Sequence, residues 1–256
     1  MPEPVSMPPT EQRNPLSANL DDLSTLEILR LFNRLDATVP VAVAEALPQI
    51  AQVVDQATAT LASGGRLFYQ GAGTSGRLAV LDAVELLPTF SLEPGYVIPL
   101  LAGGDAALTR SVEGAEDDEA LGRQDLVRHH FAQQDMLIGL AASGRTPYVL
   151  GSTRLRAGTA QKLVLNMVST GVMVKLGKVY GNLMVDVQPT NQKLRERAVR
   201  IVQEITGLDP AAARTLLERA NWRVKTAVVM ELAGVDGEEA ARRLAASGGL
   251  VRGAVG

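Results

Sequence analysis

The chain has 256 residues, 46% of them hydrophobic, which supplies a core for one α/β domain with a helical appendage and excludes global disorder. A net charge of −3 and a pI near 5.5 argue against nucleic acid or an anionic membrane surface as the main partner. The absence of cysteine excludes disulfides, thiolate nucleophiles and thiolate metal sites.

In chain order, residues 1–19 read as an extended arm rich in proline and polar residues, without an apolar signal core. Residues 20–62 read as helices. Ser24 or Thr25 caps the first, Glu27 lies in its first turn, and Leu26, Ile28, Leu29, Leu31 and Phe32 give it a buried face. Pro40 restarts the chain, and Val41 to Leu61 reads as one long amphipathic helix.

Residues 63–190 carry an α/β rhythm. Strands are expected at Arg66–Gln70, Tyr96–Leu101 and Met136–Leu140, with a helix from Arg77 to Leu87 ended by Pro88 and a helical stretch from Asp105 to Gly114. A further helix leads to His129 and His130, whose directions diverge by about 100° on a helix, so a solvated helix end rather than a metal site is expected. This alternation implies a parallel sheet with right-handed crossovers. The rhythm then stops. After Pro147 only four residues precede the helical pattern that Ser152–Thr153–Arg154 opens and that runs to about Val179, and no fourth strand is visible. The longest apolar stretch, Leu163 to Val174, is interrupted by Asn166, Ser169 and Thr170 and falls short of the ~20 residues of a membrane span. A cytoplasmic location without a membrane partner is the expectation. Residues 191–256 read as a small helical bundle, with Gln192–Thr206, Asp209–Ala220 and Val224–Leu232 continuing into Gly237–Ser247.

Two loops suit an anion. Gly71–Ala72–Gly73–Thr74–Ser75–Gly76–Arg77 lies between a strand and a helix, where free N–H groups and the helix dipole favour negative charge. Ser143–Gly144–Arg145–Thr146 repeats the arrangement after the third strand. Gly71, Gly73 and Gly76 also fit a dinucleotide fingerprint, but the neighbourhood where its acidic ribose partner belongs, Phe90–Pro94, precedes the second strand instead of ending it. Phosphate binding at both loops is the preferred reading over a plain tight turn. Among the carboxylates, Glu85 lies about two turns into the helix after the first loop; its apolar neighbours would raise its pKa and suit an acid, but an exposed charge on an amphipathic helix is the commoner role of such a glutamate and spacing alone favours it. Glu113 and Glu116 stand in an acidic run around Gly114, and spacing selects neither.

Taken in order, Thr10-Glu-Gln-Arg-Asn-Pro, Leu23-Ser-Thr-Leu-Glu, Tyr69-Gln-Gly-Ala-Gly-Thr-Ser-Gly-Arg-Leu, Leu81-Asp-Ala-Val-Glu, Ser111-Val-Glu-Gly-Ala-Glu-Asp, Ala142-Ser-Gly-Arg-Thr-Pro-Tyr, Arg156-Ala-Gly-Thr-Ala-Gln-Lys-Leu-Val-Leu-Asn-Met and Gly181-Asn-Leu-Met-Val-Asp resemble the N-acetylmuramic acid 6-phosphate etherase family from about Thr10 onward. The central domain of that family is the sugar isomerase fold, shared with the glucokinase regulatory protein. The resemblance implies a proton donor at Glu85, a second acid–base residue at Glu116, and a phosphorylated sugar held by Gly73, Thr74, Ser75 and Gly76 and by Ser143, Gly144, Arg145 and Thr146. It implies a homodimer with active sites near the subunit boundary, and chemistry that needs no metal or other cofactor. Val84 and Leu86–Leu87–Pro88 depart from the family pattern around Glu85. A larger departure is the direct junction of Leu150 with Gly151–Ser152–Thr153–Arg154, where roughly a βαβ unit, on the order of 30 to 45 residues, is missing.

Overall fold

The computed structural model describes residues 15–17, 19–142, 146–149, 156–189 and 192–256. It divides into two compact units. The first is drawn from Met1–Val53, Gly65–Ala83 and Val97–Val168, the second from Val54–Gly64, Val84–Tyr96 and Ser169–Gly256.

Helix α1 (Thr25–Asp36) opens on a capping box: Ser24 accepts from the Glu27 N–H, and the Glu27 carboxylate accepts from the Ser24 N–H at 2.9 Å. Its apolar face is less covered than its periodicity suggests. Leu31 is buried, but Leu26 and Leu29 are 56% and 58% exposed and line an open groove of about 610 Å³. The single helix expected from Val41 to Leu61 is two, α2 (Val39–Glu45) and α3 (Leu47–Ala62). Pro48 is the cause. It has no N–H for the carbonyl of Ala44, so the chain closes a tighter turn from the Ala46 N–H to the Val43 carbonyl and restarts with Pro48 in the first turn of α3.

Strand β1 (Leu67–Gly71) is buried at every residue and lies at the centre of a three-stranded parallel sheet, between β2 (Val97–Leu101) and β3 (Met136–Leu140). Leu67 stands opposite Val97 and Met136, and Gly71 opposite Leu101 and Leu140, so all three strands end at one level. Helix α4 (Gly73–Phe90) makes the first crossover and runs through Pro88. The carbonyl that Pro88 leaves without a donor belongs to Val84, which is 57% exposed and open to water, so the predicted stop at Leu87 is not enforced. The helical stretch expected from Asp105 to Gly114 contracts to α5 (Ala106–Thr109), followed by a left-handed Gly114 and a 3₁₀ turn at Ala115–Asp117. Helix α6 (Glu119–Arg128) ends at His129 and His130, both exposed, as the sequence predicts.

The two strand starts are tied by one ion pair. The side chain of Asp135 is fully buried and accepts from the Arg66 N–H at 2.9 Å, Arg66 Nε at 3.2 Å, Arg66 Nη2 at 2.7 Å and the Ala132 N–H at 2.9 Å. The guanidinium holds the Asp135 carboxyl below the usual carboxylate range. Helix α7 (Arg156–Lys175) contributes Leu165 to the core made by Tyr69, Ala79 and Leu140. Among the described residues β3 has no neighbour on its outer side, and Leu137 on it is 39% exposed.

In the second unit, a short hairpin of β4 (Val179–Tyr180) and β5 (Leu183–Met184) turns at Gly181–Asn182, a feature the sequence reading does not contain. Helices α8 (Gln192–Thr206), α9 (Pro210–Arg219), α10 (Val224–Ala233), α11 (Gly237–Ala246) and a further short α12 (Val251–Val255) enclose an aliphatic core that includes Val202, Leu217, Val228 and Val229. Asp209 caps α9 by accepting from the N–H groups of Ala211 and Ala212, each at 2.9 Å. Among the described residues no single helix is long and apolar enough to cross a membrane.

Candidate active site

The carboxyl ends of all three strands lead into one small apolar cluster: Ala72 after β1, Ala102 after β2 and Tyr148 after β3. Ligands of parallel α/β sheets bind at this end. The turn from β1 into α4 is tight enough to demand its glycines. A Cβ on Gly71 would come within 2.7 Å of the Gly76 N, and one on Gly76 would meet the Gly71 carbonyl oxygen. Because α4 opens at Gly73, the N–H groups of Gly73, Thr74 and Ser75 have no intrahelical acceptor, and the positive end of the helix faces the turn.

A cavity of about 170 Å³ lies against this turn, lined among others by Gly73, Arg77, Ser111, Glu113 and Glu116. It is smaller than the ~300–1,000 Å³ of most small-molecule pockets, room for only part of a small ligand. The structure thus joins the glycine-rich loop to the acidic run. Glu113 and Glu116 both reach the cavity because left-handed Gly114 and the 3₁₀ turn wrap the chain around it. Both carboxylates are exposed. Arg77, which also lines the cavity, donates to the Arg110 carbonyl at 3.2 Å.

Glu116 is held from below. The Tyr148 N–H donates to its carbonyl at 2.9 Å, and the Tyr148 hydroxyl donates to the Asp125 carboxylate at 2.8 Å. Burial and then that carboxylate push the Tyr148 phenol above its ordinary value. Gln70 on β1 donates to the Gly122 carbonyl at 3.0 Å. Gly122 is close-packed: a Cβ there would lie 2.9 Å from the Tyr148 carbonyl oxygen.

Thr74 and Ser75 belong to the other side of the turn, against α7. Thr74 is exposed; Ser75 is 5% exposed, and its hydroxyl donates to Gln161 Oε1 at 2.9 Å. Two turns further along α4, the buried Asp82 accepts from Lys162 at 3.5 Å, so consecutive residues of α7 grip α4 at two levels. Tyr69 points into the same buried patch, and burial and then Asp82 raise its phenol well above the ordinary value. Glu85 follows one turn after Asp82 and is exposed, next to the exposed Leu81 and Val84; it is not among the residues that line the 170 Å³ cavity. Thr146 is buried, whereas Ser143, Gly144 and Arg145 lie outside the described residues. Sequence reasoning missed Gln70, Asp82, Tyr148 and Gln161 as parts of the site. The available signal was polar side chains, Gln70 and Asp82, set in otherwise apolar runs, since such groups persist in cores only with partners.

Residues 49–156 match the model of the glucokinase regulatory protein N-terminal SIS domain, and residues 181–233 match that of the C-terminal lid domain of glucokinase regulatory protein. The fold is therefore of the sugar isomerase class. Curated relatives named N-acetylmuramic acid 6-phosphate etherase are close over nearly the full length. That of Pectobacterium atrosepticum is 51% identical over 95% of this chain and 94% of its own; that of Serratia proteamaculans is 50% identical over 96% and 97%. The chain belongs to the N-acetylmuramic acid 6-phosphate etherase family.

The same comparison shows how many positions of the relative this chain lacks. The pairing with the Pectobacterium relative runs over 285 positions, but 95% of 256 residues is about 243, so about 40 positions have no counterpart here. That is the size expected at the junction of Leu150 with Gly151, which lies outside the described residues.

Proposed function

We propose that this chain cleaves the lactyl ether of N-acetylmuramic acid 6-phosphate, giving N-acetylglucosamine 6-phosphate and D-lactate. In the open-chain sugar the C2 hydrogen is α to an aldehyde, and the ether at C3 is a β leaving group. One carboxylate takes the C2 proton while a neutral carboxylic acid protonates the departing ether oxygen; water then adds at C3 with the roles reversed. We assign the proton donor to Glu85 and the second acid–base role to Glu116. Gly73, Thr74, Ser75, Gly76 and the loop Ser143–Thr146 are assigned to the phosphorylated sugar. The observation that supports the reading is that Glu116 lines the same cavity as Gly73 and Arg77 of the glycine-rich helix start, in a chain of the etherase family.

The reading extends to a cytoplasmic homodimer that recycles cell-wall amino sugars. An exposed Glu85 on the same helix as exposed Leu81 and Val84 is the surface expected of a site that a second copy completes. The matched domain models favour one other reading, a non-catalytic sugar-phosphate-binding regulator. Incubation with N-acetylmuramic acid 6-phosphate separates the two. D-Lactate released without added metal or nucleotide supports the etherase; binding of the phosphorylated sugar without release supports the regulator.

A further inference from the structure

We propose that Gln161 is a positioning residue that sets the direction of the Ser75 hydroxyl and thereby controls its use on the substrate phosphate. The inference rests on the assignment of the α4 start to that phosphate.

Ser75 has one hydroxyl hydrogen, and in this structure it is spent on Gln161 Oε1 at 2.9 Å. In that state Ser75 presents only lone pairs to its surroundings, which an anion does not tolerate as a neighbour. The Gln161 Nε2 on the same carboxamide is buried and has no hydrogen-bond partner among the described residues. A buried donor without an acceptor is a costly arrangement, and rotating the amide exchanges it for a carbonyl oxygen without a donor, so the two orientations lie close in energy. Rotating the carboxamide by 180° exchanges Oε1 and Nε2 with almost no change in heavy-atom positions. Nε2 then donates to Ser75 Oγ, and the hydroxyl hydrogen is released.

Once released, that hydrogen has an obvious acceptor. Ser75 is in the first turn of α4, and helical side chains lean toward the N-terminus, so an anion on the N–H groups of Gly73 and Thr74 falls within reach of a first-turn hydroxyl. An anion held by those groups accepts the Ser75 hydrogen and stabilises the rotated amide. Without the anion the hydroxyl returns to Oε1. Lys162, the next residue, fixes α7 against α4 through Asp82, so Gln161 is carried on a backbone that is itself anchored.

The test measures binding of N-acetylglucosamine 6-phosphate and of N-acetylglucosamine by calorimetry, in the intact chain and in Gln161→Met, Ser75→Ala and the double variant. Gln161→Met keeps the volume and removes both amide atoms. It should weaken the phosphorylated sugar about 3- to 10-fold in the Ser75 background and have no further effect on Ser75→Ala, because residues acting through one hydrogen bond are coupled. Gln161→Glu, which can only accept from Ser75, should reduce the preference for the phosphorylated sugar at least as much as Ser75→Ala does. Equal effects of Gln161→Met in both backgrounds, or an undiminished preference in Gln161→Glu, overturn the proposal while leaving the phosphate assignment standing. An unmodified chain that binds both sugars equally overturns the phosphate assignment and the proposal with it.

Discussion

The N–H of Tyr148, in the loop after the third strand, donates to the carbonyl of Glu116 at 2.9 Å, so the loop that follows β3 fixes the backbone of a carboxylate that follows β2. The tie is made by the main chain and supported by side chains: the Tyr148 ring is buried, its hydroxyl reaches Asp125, and Gly122 leaves room for its carbonyl. Tyr148→Phe removes one hydrogen bond and leaves the tie to Glu116 intact. It should cost about 1 kcal/mol of stability and leave D-lactate release within a few-fold of the parent. Gly122→Ala drives a methyl toward the Tyr148 carbonyl and displaces the tie itself. It should lower kcat more than Tyr148→Phe does, and melting curves beside initial rates check the contrast. Equal kcat in the two variants would mean that the Tyr148 backbone does not position Glu116.

For the two carboxylates the expectation is a loss of about 10²–10⁴-fold in kcat on substitution by glutamine. Glu85→Gln should slow release of lactate, and Glu116→Gln should slow exchange of the C2 hydrogen with solvent deuterium. Glu113→Gln serves as the comparison, since Glu113 lines the same cavity wall. A Glu113 variant as slow as the Glu116 variant would move the assignment from one to the other.

How far the site could be read in advance follows from what kind of interaction builds each part. The three strands, the α4 start and the C-terminal helices rest on local patterns, apolar runs, glycine turns and caps such as Asp209, and these are visible in one dimension. The break at Ala46 was legible too, in Pro48, but the apolar periodicity from Val41 to Leu61 outweighed it. Gln161 and Tyr148 were not legible, because their partners Ser75 and Asp125 are 86 and 23 residues away and nothing local marks the pairing. The reach of Asp105–Gly114 as a helix was overestimated. Arg110 takes an extended conformation, and left-handed Gly114 turns the chain around the cavity.

Acid should expose the role of the Asp135 knot. The folded-state pKa of Asp135 is depressed, so the stability it contributes is present above the ordinary carboxylate range and is lost as pH falls through the depressed folded value. Asp135→Asn removes the charge while Arg66, 29% exposed, keeps its own. The variant should lose about 2 kcal/mol at neutral pH, the scale of hydrogen bonds to a charged group whose partner stays partly solvated. Its stability should also depend less on pH in the acid range. Urea titrations from neutral pH down to about pH 3 measure both effects, and parallel curves for parent and variant would remove Asp135 as the cause of acid sensitivity.

The open side of β3 makes the last prediction. Leu137 is 39% exposed on an edge strand whose outer hydrogen-bonding groups have no partner strand among the described residues. Such an edge favours strand pairing between copies. The family relatives hold about 40 more positions than this chain, enough for the βαβ unit that would extend the sheet beyond β3. The 27.1 kDa chain should therefore form dimers that aggregate on warming. Insertion of the corresponding segment from the Pectobacterium relative between Leu150 and Gly151 should give a monodisperse dimer. Light scattering during a slow temperature ramp distinguishes them. A 256-residue chain that stays a monodisperse monomer through the ramp would show that β3 is capped without that segment and that no second copy is needed.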